Sequence, residues 1–303
     1  MPLKRRDLHF VDAPVISVIA QQRIEQPGLD AMLHWLALRD PDCLPQDPVT
    51  LTNCPTRLSR LLPGLRSPAG HPAPDAGVTD NELLAELSGR LCYRSFGEAA
   101  GRKNNSDYMQ HIFSMDPLHA SIAYHAKMTF FFAGVSRKLS HQFIRNYVGS
   151  DRSEEGSPSQ ESSRFCEHHG YYVVPPAYEE ADRHRLTTFR AACQSNWNTY
   201  QDELEVMFQN YETEHKMEPK GASKKRIFEA AAGLLNQYTE TSFVWTTNPI
   251  ALRKFLKERC NPAADAEIDR FARSLARICF MTWPNLFLGD DLDGVRLRCG
   301  VRL

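Results

Sequence analysis

Paired cysteines are missing from this 303-residue sequence, although it contains eight cysteines. They are scattered along the chain without a Cys-x-x-Cys pair, the spacing that zinc sites and many redox centres use. Scattered thiols are typical of proteins in a reducing compartment. We therefore expect no metal site and no disulfide framework, and we expect the protein to be cytoplasmic.

Long apolar runs are also missing. A membrane-spanning helix needs about 20 consecutive apolar residues, whereas the longest apolar stretch here covers only 128–135 and suits a buried strand. The basic residues near the N-terminus are not followed by an apolar segment, so no signal peptide is recognisable. We therefore expect no membrane partner.

A surplus of either charge is the third absence, since 36 Lys and Arg stand against 37 Asp and Glu. Bulk nucleic-acid binding normally needs an excess of cations on one face of a protein. We therefore expect no nucleic-acid partner. Any anionic ligand must be held by a local cluster of cations.

Proline and glycine, by contrast, are concentrated in one segment. Five prolines and three glycines lie between Cys54 and Asn81. Such density prevents sustained helix or sheet. We predict that 1–80 form an N-terminal extension with a Pro/Gly-rich linker, and that 81–303 form the main domain.

Residue periodicity in the rest of the chain predicts an α+β fold, mostly helical, with a small mixed or antiparallel sheet. Extended segments are expected at 9–19, 119–133 and 171–174, and a loop at 150–164, with Gly134 ending the second extended segment. Helices are expected at 29–38, from Asn81, and at 135–146, 182–211, 222–237, 249–259 and 264–281. Asn261 is the predicted N-cap of the last helix, with Pro262 at its first position.

The predicted helix 135–146 carries a row of cations. Arg137, His141 and Arg145 are spaced at i, i+4 and i+8, and no acidic residue occurs between 127 and 150. This row is either an exposed basic face or an anion site in which arginines bind phosphate groups. The loop that follows contains six serines and ends at Arg164, and hydroxyls beside an arginine suit a phosphate monoester.

Five motifs in the right order resemble the signature of the flavin-dependent thymidylate synthases. In that family an arginine-rich helix with an R-H-R triplet precedes a loop ending S-x-x-x-x-S-x-R-Y, and the corresponding segments here are 134–145 and 157–165. The family's H-x-S-x-x-E-H-A corresponds to 119–126, and L-P-x-x-T-E-T to 235–241, followed by Asn248 and Arg259. Residues 264–268 are similar to A-Q-x-E-I, and the likeness extends over roughly 83–288.

The resemblance implies an α+β homotetramer in which several subunits share each active site, and FAD as cofactor without a Rossmann G-x-G-x-x-G loop. The positions that correspond to FAD contacts are His119, Ser121, Arg145, Asn146 and Asn248. Those that correspond to nucleotide contacts are Gln142, Ser162, Ser163, Arg164 and Arg259. The implied catalytic positions are Gln160, Ser162 and Arg259, with Ser162 as a ligand-binding hydroxyl rather than a nucleophile.

The reaction that the resemblance implies is flavin-dependent C5-methylation of a uridine nucleotide. Methylenetetrahydrofolate would donate the one-carbon group and NADPH would reduce the flavin. The cofactor carries the difficult step, so the protein needs to supply only orientation and electrostatics. The expected partner is therefore a small pyrimidine nucleotide.

Several residues depart from the family pattern. The R-H-R triplet is Arg145-Asn146-Tyr147 here, the following loop is seven residues longer, Tyr124 replaces a glutamate and Ala232 replaces a common arginine. Fewer cations near a phosphate should weaken the binding of doubly anionic ligands. The departures leave several readings open: an ordinary dUMP methylase with a long loop, a specialised divergent member acting on UMP, C5-hydroxymethylation in nucleoside natural-product biosynthesis, or a non-catalytic flavin- or nucleotide-binding relative.

Overall fold

The computed structural model describes residues 5–25, 27–29, 31–32, 35, 78–93, 105–115, 119–145, 158–179 and 183–300. The predicted Pro/Gly-rich linker, most of the predicted helix 29–38 and the loop segment 146–157 lie outside these residues. Within them, the chain divides into two compact units. None of the described helices is both long enough and apolar enough to cross a membrane.

The strands are β1 (His9–Val11), β2 (Val15–Gln21), β3 (Met128–Ser136), β4 (Ser159–Gln160), β5 (Tyr171–Val173) and β6 (Glu240–Thr247). The helices are α1 (Asp80–Tyr93), α2 (Asn105–Phe113), α3 (Arg137–Arg145), α4 (Pro176–Glu179), α5 (Arg183–His215), α6 (Ala222–Ala232), α7 (Pro249–Arg259), α8 (Ala266–Thr282) and α9 (Asp293–Cys299). Short 3₁₀ helices cover Ala120–Tyr124, Pro284–Phe287 and Asp290–Leu292. The predicted α+β class, mostly helical with small sheets, is confirmed.

The first unit comprises Met1–Ile19, Phe130–Trp245 and Pro262–Phe271. Four strands form one sheet in the order β2-β3-β6-β4, and β1 pairs in parallel with β5 in a second sheet. Phe132 lies at the centre of the core beside the larger sheet, with its ring centroid 4.9 Å from that of Phe243 and 5.0 Å from that of Phe271. Alternation along β3 and β6 directs Phe132 and Phe243 to one face of the sheet, which explains the position of the core.

A second hydrophobic cluster of the first unit lies along α5. Phe189, Trp197 and Tyr200 are buried there against Phe228 of α6. α5 is longer than the predicted 182–211, and α6 is shorter than the predicted 222–237 because the chain turns after Ala232. This cluster holds α6 in place, and α6 in turn contacts the candidate site.

Gly134 does not end the strand that contains it, so that prediction is wrong. β3 continues to Ser136, and Gly134 adopts a φ of +66° inside it. Its N–H donates to a carboxylate oxygen of Glu240 at 2.7 Å. A Cβ at this position would lie 2.9 Å from the carbonyl oxygen of Ala13, so glycine is required by both conformation and space.

The second unit comprises Ala20–Thr129, Thr246–Asn261 and Ala272–Leu303. It contains α1, α2, α7 and α9, and its interior holds an ion pair between Arg90 and Glu86 at 2.6 Å. Asn105 donates to the other carboxylate oxygen of Glu86 at 2.7 Å, so the buried charge has its hydrogen bonds. The predicted extended conformation of 119–124 is wrong, because Ala120–Tyr124 form a 3₁₀ helix and His119 directly precedes it.

The start of α8 also differs from the prediction. The helix begins at Ala266, and the Asp265 side chain accepts from the Glu267 N–H at 3.2 Å. Asn261 and Pro262 therefore precede the helix and do not cap it. Two capping residues lie close together in this sequence, and local preference cannot choose between them.

Candidate functional site

The first turn of α3 is held by three hydrogen bonds of Ser136. Ser136 Oγ accepts from the Leu139 N–H at 3.0 Å and donates to Glu267 at 2.6 Å. The Ser136 N–H donates to the same carboxylate at 2.9 Å. Glu267 is buried, and burial raises its pKa while these hydrogen bonds oppose the rise. These hydrogen bonds therefore fix the orientation of α3 at its N-terminus, where the row of Arg137, His141 and Arg145 begins.

The predicted ligand residues of α3 lie further along the helix. Gln142 is half-buried, and Arg145 is exposed as the last helical residue. An exposed guanidinium at this place can donate to the phosphates of a dinucleotide, so it fits the predicted contact with FAD. Asn146 lies outside the described residues.

Arg137, the first residue of α3, lies near a buried histidine. His168 is 8% exposed, and its pKa is lowered to about 4 by burial and then by the charges of Arg137 and His169. Its backbone N–H donates to the Tyr200 hydroxyl at 3.2 Å. His168 is therefore neutral at neutral pH, and it adds no positive charge to the cations of α3.

Gln160 joins three elements of the first unit. Its side-chain amide donates to Ser140 Oγ of α3 at 3.1 Å and to Thr241 Oγ1 of β6 at 3.0 Å. The residue lies in β4, which pairs antiparallel with β6, so the predicted loop 150–164 contains a short strand at its end. Gln160 therefore anchors the segment that leads to Ser162.

Ser162, Ser163 and Arg164 lie in a tight turn directly after β4. The N–H groups of Phe165 and Cys166 both donate to the Ser162 carbonyl oxygen at 3.0 Å. The Arg164 N–H donates to Ser162 Oγ at 3.3 Å, while Ser162 and Ser163 are half-buried and Arg164 is exposed. The structure thus brings Gln160, the two serines and the arginine together on one anchored segment.

The partner of Arg164 was not predicted. Its Nε donates to a carboxylate oxygen of Glu229 on α6, and the next residue, Phe165, lies under the ammonium group of Lys225 at 5.0 Å. Arg164 and Glu229 are 65 positions apart. Pattern analysis of one sequence gives no signal for such a contact.

The remaining predicted residues belong to the second unit. His119 precedes the 3₁₀ helix Ala120–Tyr124, and its Nδ1 lies 2.8 Å from the Tyr93 hydroxyl, with the two rings stacked. Ser121 is exposed on that helix. An oriented imidazole and an exposed hydroxyl can both donate to a flavin, so these residues fit the predicted group.

Asn248 and Arg259 mark the two ends of α7. Asn248 is buried and caps the helix, because its side-chain oxygen accepts from the Ile250 and Ala251 N–H groups at 3.0 Å. Arg259 is the last helical residue and is half-buried. Eleven residues at about 1.5 Å each separate the two positions by about 16 Å along the axis. One copy of α7 therefore does not bring these two predicted residues together.

Comparison with known proteins identifies the family. The family model described as "Thymidylate synthase complementing protein" matches residues 76–285. The flavin-dependent thymidylate synthase of Mycolicibacterium gilvum is 32% identical over 216 residues, which are 70% of this chain and 80% of that protein. The enzyme of the same name from Corynebacterium aurimucosum is 30% identical over 233 residues, 76% of this chain and 87% of the relative.

A solved structure supports the same fold. It is that of the UMP/dUMP methylase PolB from Streptomyces cacaoi bound with 5-Br UMP, with a TM-score of 0.53 and 13% identity. The similarity covers 97% of this chain and 99% of that one. The family match and the two relatives confirm the resemblance inferred from the motifs: the chain belongs to the flavin-dependent thymidylate synthase family.

Proposed function

We propose that the protein transfers a one-carbon group to carbon 5 of a uridine nucleotide, using FAD. The observation that carries this proposal is the turn Ser162–Arg164. It presents hydroxyls and a guanidinium from a segment that Gln160 anchors to two other elements. Such a rigid donor set suits the monophosphate of a nucleotide.

The residues of the chain serve to bind and orient the reactants. When bound, FAD would supply hydride chemistry after reduction by NADPH, and methylenetetrahydrofolate would be the source of the carbon. Arg164, Ser162 and Ser163 hold the nucleotide phosphate, and Gln142 and Arg259 hold the rest of the nucleotide. His119, Ser121, Arg145, Asn146 and Asn248 hold FAD. The protein acts in the cytoplasm as a homotetramer.

We further propose that UMP is accepted as well as dUMP or in preference to it. Asn146 replaces the histidine of the family's R-H-R triplet, and Tyr147 and Ala232 each replace an arginine. The family's nucleotide-binding residues Ser162, Arg164 and Arg259 are retained. PolB, which has the same fold, is a UMP/dUMP methylase, so this fold accommodates both sugars.

Two measurements test the proposal. Purified protein should be yellow, and its flavin absorption should bleach with NADPH; a protein that stays colourless after incubation with FAD would support a non-catalytic relative. In competition experiments, one nucleotide is tritiated at carbon 5 and the other is unlabelled, and the labels are then exchanged. Tritium should be released from labelled UMP in the presence of dUMP. A strong preference for dUMP would remove the case for specialisation and leave an ordinary thymidylate synthase.

A further inference from the structure

Helix α6 holds the turn that contains Arg164 at two adjacent points. Lys225 and Glu229 are four residues apart and therefore lie on the same face of α6. Lys225 lies over the ring of Phe165, and Glu229 accepts from Arg164. Consecutive residues of the turn are thus attached to consecutive turns of one helix.

The edge of the Arg164 guanidinium that Glu229 contacts determines which of its N–H groups remain available for a phosphate. A guanidinium carries one N–H at Nε and four more on its two terminal nitrogens, and phosphate is bound bidentately by this fork. Glu229 contacts Nε. Within the part of the chain that the structure describes, the terminal nitrogens form no hydrogen bond, and the Arg164 side chain is 55% exposed.

We propose that Glu229 is a positioning residue, which holds Arg164 by Nε so that its terminal nitrogens are oriented toward the phosphate of the nucleotide. The inference rests on the proposed function, because it assigns a phosphate to Arg164. A carboxylate that competed with phosphate would occupy the terminal nitrogens, whereas this contact leaves them available. Pre-orientation reduces the loss of side-chain freedom on binding, and affinity rises accordingly.

The test is a double-mutant cycle on nucleotide affinity, measured by calorimetry with dUMP, UMP and uridine on the FAD-loaded protein. Glu229→Ala should weaken nucleotide binding by about 3- to 10-fold. It should leave uridine binding, FAD content and melting temperature unchanged. In an Arg164→Ala background it should have no further effect. Glu229→Gln, which keeps an acceptor for Nε, should fall between wild type and Glu229→Ala.

Glu179→Ala is the matched control. It breaks the Glu179–Arg270 pair of 2.9 Å, in which the glutamate side chain is about one-third exposed, as that of Glu229 is, and it should not change nucleotide affinity. Unchanged or tighter nucleotide binding by Glu229→Ala would overturn the inference, as would an equal loss for uridine. Wild-type protein that binds neither nucleotide would instead overturn the proposed function, and the inference with it.

Discussion

At the scale of single residues, Gly134 combines a positive φ with a close backbone neighbour. Gly134→Ala should lower the free energy of unfolding by about 1–3 kcal/mol, because alanine is strained in this region and its Cβ would press on Ala13. Urea unfolding measures the change. Gly28→Ala is the control, since nothing lies within 4 Å of the added methyl group. Equal free energies of unfolding for the two variants would contradict this prediction, because β3 would then accommodate the added methyl group without cost.

His168 makes the free energy of unfolding depend on pH in the acid range. Its pKa is lowered from 6.5 to about 4, so the unfolded chain binds the proton more tightly than the folded one. The contribution is fully present above pH 6.5 and is lost as the pH falls through 4. The loss is about 3 kcal/mol at most.

His168→Phe removes this titration and keeps an aromatic ring in the buried space. Unfolding free energies measured above pH 6.5 and near pH 4 should differ less in the variant than in the wild type. His169→Phe is the control, because that side chain is exposed. An identical acid dependence in wild type and His168→Phe would contradict the assignment.

At the scale of elements, the N-cap of α7 allows two roles of Asn248 to be separated. Asn248→Ala should destabilise the protein by about 1 kcal/mol through loss of the cap, whereas Asn248→Asp should keep it, because aspartate caps as well as asparagine does. Both variants should bind FAD less tightly if the amide contacts the flavin. Thermal unfolding and FAD titration measure the two effects, and normal FAD affinity in Asn248→Asp would exclude an amide contact.

Elements with strong local signals were predicted well. α7 has a proline at its first position after an asparagine, and its predicted bounds 249–259 are those observed. Where two local signals compete, the sequence alone was insufficient: Asp265 rather than Asn261 caps α8, and Gly134 continues a strand instead of ending it. The choice depends on partners distant in the chain, such as Glu240 for Gly134.

The same limit applies to the candidate site. Motif spacing identified Gln160, Ser162 and Arg164, and the structure brings these three onto one segment. Thr241 belongs to the motif 235–241, but its role as a support, like that of Glu229, became visible only through contacts across 81 and 65 positions. A motif marks a residue, whereas the neighbour that the residue holds in place depends on tertiary packing.

At the scale of the whole molecule, we expect a homotetramer with a mass of four times 34.5 kDa by light scattering. If subunits share each active site, two inactive variants should restore activity when they are co-expressed. Arg164→Ala and His119→Ala are suitable, because these residues lie in different units of the chain. A monomeric mass, or mixtures as inactive as the separate variants, would contradict shared sites.

α7 also acts as a spacer of fixed length and phase. An inserted residue between Asn248 and Arg259 would lengthen it by about 1.5 Å and rotate its far end by about 100°, so the arginine would point elsewhere. We expect homologous chains to conserve this eleven-residue interval even where the side chains between the two positions vary.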